Sequence, residues 1–352
     1  MRLFVTTFLL LAGLLHGLSF GAGYKVTKVV EVGPAAWVPF TGPLKWSPDG
    51  TKLAYFANNY LMISDTLGNS REVWKIDIGI TPRRFEWASN DKVAINLPKR
   101  RASDSALYKT ITVVDIHTGQ ETTVTEWQSV SRAVGNIYYE GPFLTLERNA
   151  YYLKKTHTGH RRQIPLGWTA ETIDEPHWFF PDKSLSFEQN HFIHWHADGL
   201  YLVNLDHTDS ISPVVSPHPG GAMTAAISPD TSYVFMGDRL IRVTDSAEIN
   251  VNDFAGEPPD GTFGCGFMFL SFNPKTTEIL FNQTCDGESP SGGEYVIDRI
   301  GTFNYSTDEF IILDTVIGIQ NCTAPVYAPD GKKIAFLDND DYKAYIICRE
   351  EK

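Results

Sequence analysis

Short apolar runs separated by polar turns dominate the chain. Leu44-Lys45-Trp46 is followed by Ser47-Pro48-Asp49-Gly50, then by Leu53-Ala54-Tyr55-Phe56 and Tyr60-Leu61-Met62-Ile63. Apolar runs this short, bounded by Pro, Asp and Gly, predict strands and hairpins rather than helices. In the turn, Pro presets φ, Asp bonds back to nearby amides and Gly accepts positive φ. Glu72-Val73-Trp74-Lys75-Ile76 supplies a fourth strand, so the pattern reads as one four-stranded antiparallel unit. The third-strand pattern returns as Ile111-Thr112-Val113-Val114-Asp115, as Gly199-Leu200-Tyr201-Leu202-Val203 and as Leu240-Ile241-Arg242-Val243. After residue 23 no stretch carries a sustained helical period.

The turn itself recurs. Copies aligned on it occupy residues 44–55, 225–235, 270–281 and 325–336, with a looser one around Phe180-Pro181-Asp182 and another at 85–91 that lacks the proline. Markers Pro48, Ser89, Pro181, Pro229, Pro274 and Pro329 lie 41, 92, 48, 45 and 55 residues apart. The long gap divides into two steps of about 46, which predicts a hidden unit in residues 136–155, where Pro142-Phe143-Leu144-Thr145-Leu146 and Ala150-Tyr151-Tyr152-Leu153 supply strands.

Four strands per unit of about 40 to 50 residues is the size of a β-propeller blade. The expected fold is all-β: residues 24–352 form one seven-bladed propeller, with six blades as the alternative. The last unit ends after its third strand. Residues 24–32 are an unassigned strand that could complete it and close the ring, removing an open edge.

The turn Trp46-Ser47-Pro48-Asp49-Gly50 with Lys52-Leu53-Ala54-Tyr55-Phe56 after it, and its twin at 325–337, resemble the WD40-like repeats of TolB-type periplasmic proteins. The resemblance covers nearly all of residues 24–352. It implies a propeller and very little chemistry, because such repeats build blades rather than sites.

At the N-terminus, Arg2 precedes an apolar run from Leu3 to Leu15 and then Gly17, Ser19, Gly21 and Ala22. This pattern predicts a cleaved signal peptide over residues 1–23, and hence a periplasmic or extracellular protein. The run is shorter than a bilayer span needs, and no other segment is apolar enough to insert. A net charge of −12 argues against nucleic acid, whose binding depends on neutralising phosphates. Four cysteines suit an oxidising compartment. The expected pairs, Cys265 with Cys285 and Cys322 with Cys348, would each staple one unit; other connectivities and free thiols remain open.

Seven of the ten histidines lie between His157 and His207. His194 and His196, two apart on a strand, share a face, and with His177 and His218 they form the one candidate metal set. This set is faintly similar to that of the oligogalacturonate lyases, seven-bladed propellers that hold a divalent metal with histidines, so a metal-dependent polysaccharide lyase or hydrolase is the enzyme alternative. The competing reading makes them ordinary strand histidines. Asp338-Asn339-Asp340-Asp341 lacks the glycine and distal glutamate of a calcium loop and reads as an acidic turn. Asn282, Asn304 and Asn321 open glycosylation sequons. There is no Gly-x-Ser-x-Gly elbow and no phosphate loop.

The reading that follows is a non-catalytic binding scaffold without a cofactor, with a protein or envelope-associated partner. Carbohydrate is second, through stacking on Trp168 and Trp178. Residues 167–180 and 255–269 are the expected interaction loops.

Overall fold

The structure is a computed structural model that describes residues 24–35, 44–76, 84–100, 107–128, 132–134, 142–147, 150–155, 161–163, 185–186, 191–196, 199–204, 211–215, 225–236, 238–256, 259, 262–288 and 294–351. Among these residues the chain is nearly all strand, arranged in seven four-stranded antiparallel sheets. After β1 (Tyr24–Pro34), sheet one holds β2 (Leu44–Trp46), β3 (Lys52–Ala57), β4 (Tyr60–Asp65) and β5 (Ser70–Lys75). Sheet two holds β6 (Arg84–Ser89), β7 (Lys92–Arg100), β8 (Leu107–Asp115) and β9 (Glu121–Gln128). Sheet three, in the region of the hidden unit, holds β10 (Arg132–Val134), β11 (Pro142–Glu147), β12 (Ala150–Lys155) and β13 (Arg161–Gln163). Sheet four holds β14 (Leu185–Ser186), β15 (His191–His196), β16 (Gly199–Asn204) and β17 (Ile211–Val215). Sheet five holds β18 (Ala225–Ile227), β19 (Tyr233–Met236), β20 (Arg239–Arg242) and β21 (Glu248–Asn250). Sheet six holds β22 (Thr262–Phe272), β23 (Glu278–Glu288), β24 (Glu294–Asn304) and β25 (Glu309–Ile312).

The seventh sheet combines both ends of the described chain. β26 (Cys322–Tyr327), β27 (Lys333–Asp338) and β28 (Lys343–Glu351) are followed outward by β1. β1 pairs antiparallel with β28 from Tyr24 opposite Glu351 to Pro34 opposite Lys343. The strand that the sequence left unassigned is therefore the fourth strand of the last sheet.

Strands apolar at successive positions mean that both faces of a sheet are covered. In β3, Leu53, Tyr55 and Ala57 join a buried cluster shared with sheet seven, while Ala54 and Phe56 pack into sheet two. In β27, Ala335 and Leu337 face sheet one, whereas Ile334 and Phe336 face sheet six. In β23, Ile279 and Phe281 meet sheet five and Leu280 meets sheet seven. The core is thus a series of layers between neighbouring sheets. Indole groups tie the inner strands across these layers: Trp87 Nε1 donates to the Lys45 carbonyl at 2.9 Å, and Trp46 Nε1 donates to the Val326 carbonyl at 3.3 Å.

The recurrent turn is a compact hydrogen-bonded knot. Asp49 Oδ1 accepts from Ser47 Oγ at 2.6 Å, from the Thr51 amide at 3.0 Å and from Thr51 Oγ1 at 2.8 Å, while Ser47 Oγ accepts from the Lys52 amide at 2.9 Å. Asp230 repeats this with Ser228 and Ser232, and Asp330 bonds the Lys332 amide and pairs with Lys333. The residue after the aspartate has φ of 66° at Gly50, 58° at Thr231 and 70° at Gly331, so the turn needs the left-handed region whichever residue fills it. Neighbouring turns touch: Asp49 N donates to Asn90 Oδ1 at 3.0 Å, and Asn273 Nδ2 donates to the Gly331 carbonyl at 3.2 Å.

One expectation changes and one is untested. The stretch 255–269, expected as an interaction loop, is strand from Thr262 onward, because β22 runs eleven residues from Thr262 to Phe272. The other expected loop, 167–180, lies outside the described residues.

Partial burial pushes Asp49, Asp230 and Asp330 upward, but the hydroxyl, amide and lysine partners outweigh it and hold all three below the ordinary carboxylate value. Carboxylates so depressed stabilise the fold fully above about pH 4 and lose that contribution as pH falls through their lowered values. A D49N/D230N/D330N variant is expected to melt lower than wild type at pH 7, by about 0.5–1.5 kcal/mol per lost turn bond. The two melting curves should converge toward pH 2, which a pH series of thermal unfolding checks.

Candidate functional site

The candidate histidines fall in the less described part of the chain. His194 and His196 lie on β15, the second strand of sheet four, opposite Tyr201 and Gly199. His177, His218, Trp168 and Trp178 lie outside the described residues. No group of three or more His, Cys, Asp or Glu among the described residues is arranged to hold a metal ion.

The cysteines divide. Cys265 and Cys285 are directly opposite on β22 and β23 and form a disulfide, as expected. Cys322 and Cys348 do not pair, which corrects the second expected staple: Cys322 is a buried thiol and Cys348 a half-buried one. The register explains it. Cys322 sits opposite Asp338 at one end of β27, and Cys348 sits opposite Lys333 at the other end. That offset is roughly 17 Å along the strand at about 3.4 Å per residue, whereas a disulfide needs Cα atoms within about 7 Å.

The most elaborate polar chemistry on the described surface and interior lies in the seam between sheets six and seven. On one side of the seam Arg349 is buried. Its Nη1 bonds Glu278 Oε1 at 2.6 Å and its Nη2 bonds the Gly331 carbonyl at 2.8 Å. Tyr327 donates its hydroxyl to the same carboxylate oxygen, and the guanidinium carbon lies 4.3 Å from the ring centre of Tyr24, from β1, and 5.1 Å from that of Tyr327. Burial pulls Arg349 down, but Tyr327 and Glu278 more than offset this, and the Tyr327 phenol is held well above its ordinary value by burial and by Glu278. Glu278 follows the turn at the position that Lys52 and Lys333 hold in two other copies and Tyr233 in a third. This exchange of sign was visible in the sequence but had no assigned partner there.

Toward the other end of the seam, Asp298 on β24 accepts from Thr284 Oγ1 at 2.6 Å, Asn282 Nδ2 at 3.2 Å and Asn339 Nδ2 at 2.7 Å. Asn321 Oδ1 receives the Asp298 amide at 3.2 Å, and Asn321 Nδ2 donates to Asp340 Oδ1 at 2.7 Å. Asp338 Oδ1 accepts the Asp340 amide at 2.9 Å. The acidic run 338–341 is thus a turn engaged with its own backbone and with sheet six. The Asn282 side chain is wholly buried and spent on Asp298 and on the Ala324 amide, so this sequon offers no free amide. Asp314 is buried beside the same seam; burial pushes its carboxyl up to about 7 against a 2.8 Å bond from the Ile300 amide and the Arg299 charge. Burial also raises the Cys322 thiol, reinforced by Asp314, Asp338, Asp340 and Asp298.

Sheet six extends beyond its neighbours. β23 and β24 pair along eleven residues, from Glu278 opposite Asn304 to Glu288 opposite Glu294, but β25 covers only Gly301 to Asn304. The disulfide crosses the projecting arm, and Tyr295 fills the space over Gly287, where a Cβ would come within 2.5 Å of its ring.

No protein-family model matches the chain, and no curated protein matches it. Among solved structures, a chain of the mitotic checkpoint complex is similar with a TM-score of 0.56 at 10% identity, covering 95% of this chain and 94% of that one. A TolB structure from Agrobacterium tumefaciens aligns over 95% of this chain and 99% of its own at 12% identity, with a TM-score of 0.39. The tricorn protease aligns over 84% of this chain and 28% of its own, at 10% identity and a TM-score of 0.41. The first of these likenesses shows the fold, a β-propeller of four-stranded antiparallel sheets.

Truncating Arg349→Ala strands a buried carboxylate and is expected to cost about 3–5 kcal/mol. Adding Glu278→Gln should recover part of that loss, as denaturant titration of the two variants will report. Alkylation without reductant should modify Cys348 slowly and Cys322 only on unfolding, with Cys265 and Cys285 reacting only after reduction. Mass mapping that finds a Cys322–Cys348 peptide would reverse the correction made above.

Proposed function

We propose that the chain is a closed, seven-bladed propeller, exported by residues 1–23, that acts as a non-catalytic scaffold for protein partners outside the cytoplasm. In this reading β1 completes the last blade, and the indole bond from Trp46 to Val326 links the first blade to the last. The disulfide between Cys265 and Cys285 accords with an oxidising compartment.

One observation carries the binding role. The large apolar side chains most exposed among the described residues are Leu67 at 66%, Tyr342 at 62% and Val296 at 53%. Leu67 follows β4, Tyr342 precedes β28, and Val296 lies on the projecting arm, so all three sit at the ends of sheets where a propeller meets other molecules. The polar groups of the seam, in contrast, are largely spent on one another. Sheet ends offering apolar side chains give a partner separate points of contact.

Photo-crosslinking residues placed at positions 67 and 342, in cells that make the protein naturally, should yield discrete protein adducts. The mature protein should begin near Tyr24 and carry no stoichiometric metal. A stoichiometric metal lost in an H194A/H196A variant, together with cleavage of a uronate polysaccharide, would replace the scaffold with the lyase reading.

A further inference from the structure

The arm of sheet six has an outer edge that its own sheet does not use. β25 stops pairing at Gly301, and beyond it β24 continues for seven residues, from Ile300 back to Glu294. The outward groups nearest the sheet are capped: Leu313 donates to the Ile300 carbonyl at 2.8 Å, Asp314 Oδ1 accepts the Ile300 amide at 2.8 Å and Asn321 Oδ1 accepts the Asp298 amide at 3.2 Å. Amides alternate in direction along a strand. Since those of residues 298 and 300 point outward, so do those of 296 and 294. No strand pairs with this last stretch among the described residues.

Open edges of this kind are normally short, charged or covered. Here the disulfide ties β22 to β23 within the arm, Tyr295 covers Gly287, and the middle residue of the edge, Val296, is 53% exposed. Strand alternation puts 294, 296 and 298 on one face, with Asp286 opposite Val296 on that same face. On that face the exposed Val296 sits across from the exposed acid Asp286, and the Asp298 carboxylate is taken by Thr284, Asn282 and Asn339. From residue 282 to 300 the sequence holds Asp286, Glu288, Glu294 and Asp298 against a single base, Arg299. Arg299 belongs to the opposite face, with Tyr295.

Resting on the scaffold reading, we infer that the β24 edge at residues 294–297 is a docking site for an extended segment of a protein partner, which adds as a strand and carries basic residues flanking an apolar one. Main-chain bonds to residues 294 and 296 supply affinity without sequence preference, and the alternate side chains set specificity. An apolar residue opposite Val296, flanked by basic ones, complements the exposed Asp286 and the acidic sequence of this stretch, whereas Asp298 is already engaged by Thr284, Asn282, Asn339 and Asn321. A second copy of this chain fits poorly. Two β24 edges paired antiparallel about Val296 would set Glu294 against Asp298 twice, and like charges directly opposed across strands are destabilising.

The test uses the full mature protein and a fluorescein-labelled peptide with the core Lys-Thr-Val-Thr-Lys, beside a twin with the core Glu-Thr-Val-Thr-Glu, in anisotropy titrations at low salt. The lysine peptide should bind at least tenfold more tightly than its twin and weaken as salt is raised. Val296→Pro removes the outward amide without breaking an internal ladder bond, and should weaken binding at least tenfold. Val296→Thr should stay within twofold. Should the proline variant misfold, D286K/E294K serves instead: it should invert the preference between the two peptides. Equal binding of the twins, or unchanged binding by both altered proteins, overturns the proposal. A dimer in sedimentation velocity that Val296→Pro abolishes would also overturn it, assigning the edge to a second copy. If the edge fails while the crosslinks from positions 67 and 342 persist, the scaffold reading survives and only this docking site is lost; loss of those crosslinks would instead remove the scaffold reading.

Discussion

The described core depends on sheets that are apolar on both faces. A four-stranded sheet whose central strand reads Leu53-Ala54-Tyr55-Phe56, all buried, cannot stand alone in water. It needs a neighbour on each side, and so does that neighbour. The clusters shared by sheets seven and one, one and two, five and six, and six and seven are the visible result. The indole bonds from Trp46 and Trp87 add direction to this stacking, because each fixes an inner strand against the inner strand of the preceding unit.

Much of the fold was legible because the turn is chemically demanding. A serine hydroxyl, an aspartate and a residue tolerant of positive φ within five positions leave a mark on sequence that drift erodes slowly. Where the mark was lost, in sheet three, spacing alone placed the unit in a region that holds four short strands. The functional features were far less visible. Nothing in the spacing of Glu278 and Arg349, 71 residues apart, announces a contact. The stretch 255–269 was read as a loop, yet from Thr262 it belongs to β22, whose register against β23 shifts between Thr262 and Gly264 and again between Met268 and Ser271. The cysteine error has the same origin, since sequence order gives no register and register decides which sulfurs can meet.

The seam between sheets six and seven differs in kind from the other layers. It contains a buried ion pair, a network of side-chain amides and acids, and a carboxyl at Asp314 whose pKa sits near neutrality. Because that carboxyl is raised, the native state holds its proton between about pH 4 and 7 where the unfolded chain does not, so its contribution to stability falls as pH rises through that window. The three turn aspartates act in the opposite direction, and lower in the scale. Polar contacts demand geometry that apolar ones do not, so this seam fixes the position of sheet six, and with it the arm, against the last sheet.

The pairing of β1 with β28 joins residues more than 300 positions apart, as the Thr27 hydroxyl on the Cys348 carbonyl illustrates. Contacts of such separation form late, because the chain between them must first be ordered. Until β28 is available β1 has no partner, and Val26, Val30 and Val32, buried in the folded protein, face water. Six sheets can assemble as their own residues arrive. The seventh is complete only once β1 and β28 have met, and until then an apolar strand and a three-stranded sheet are both open to the wrong neighbour.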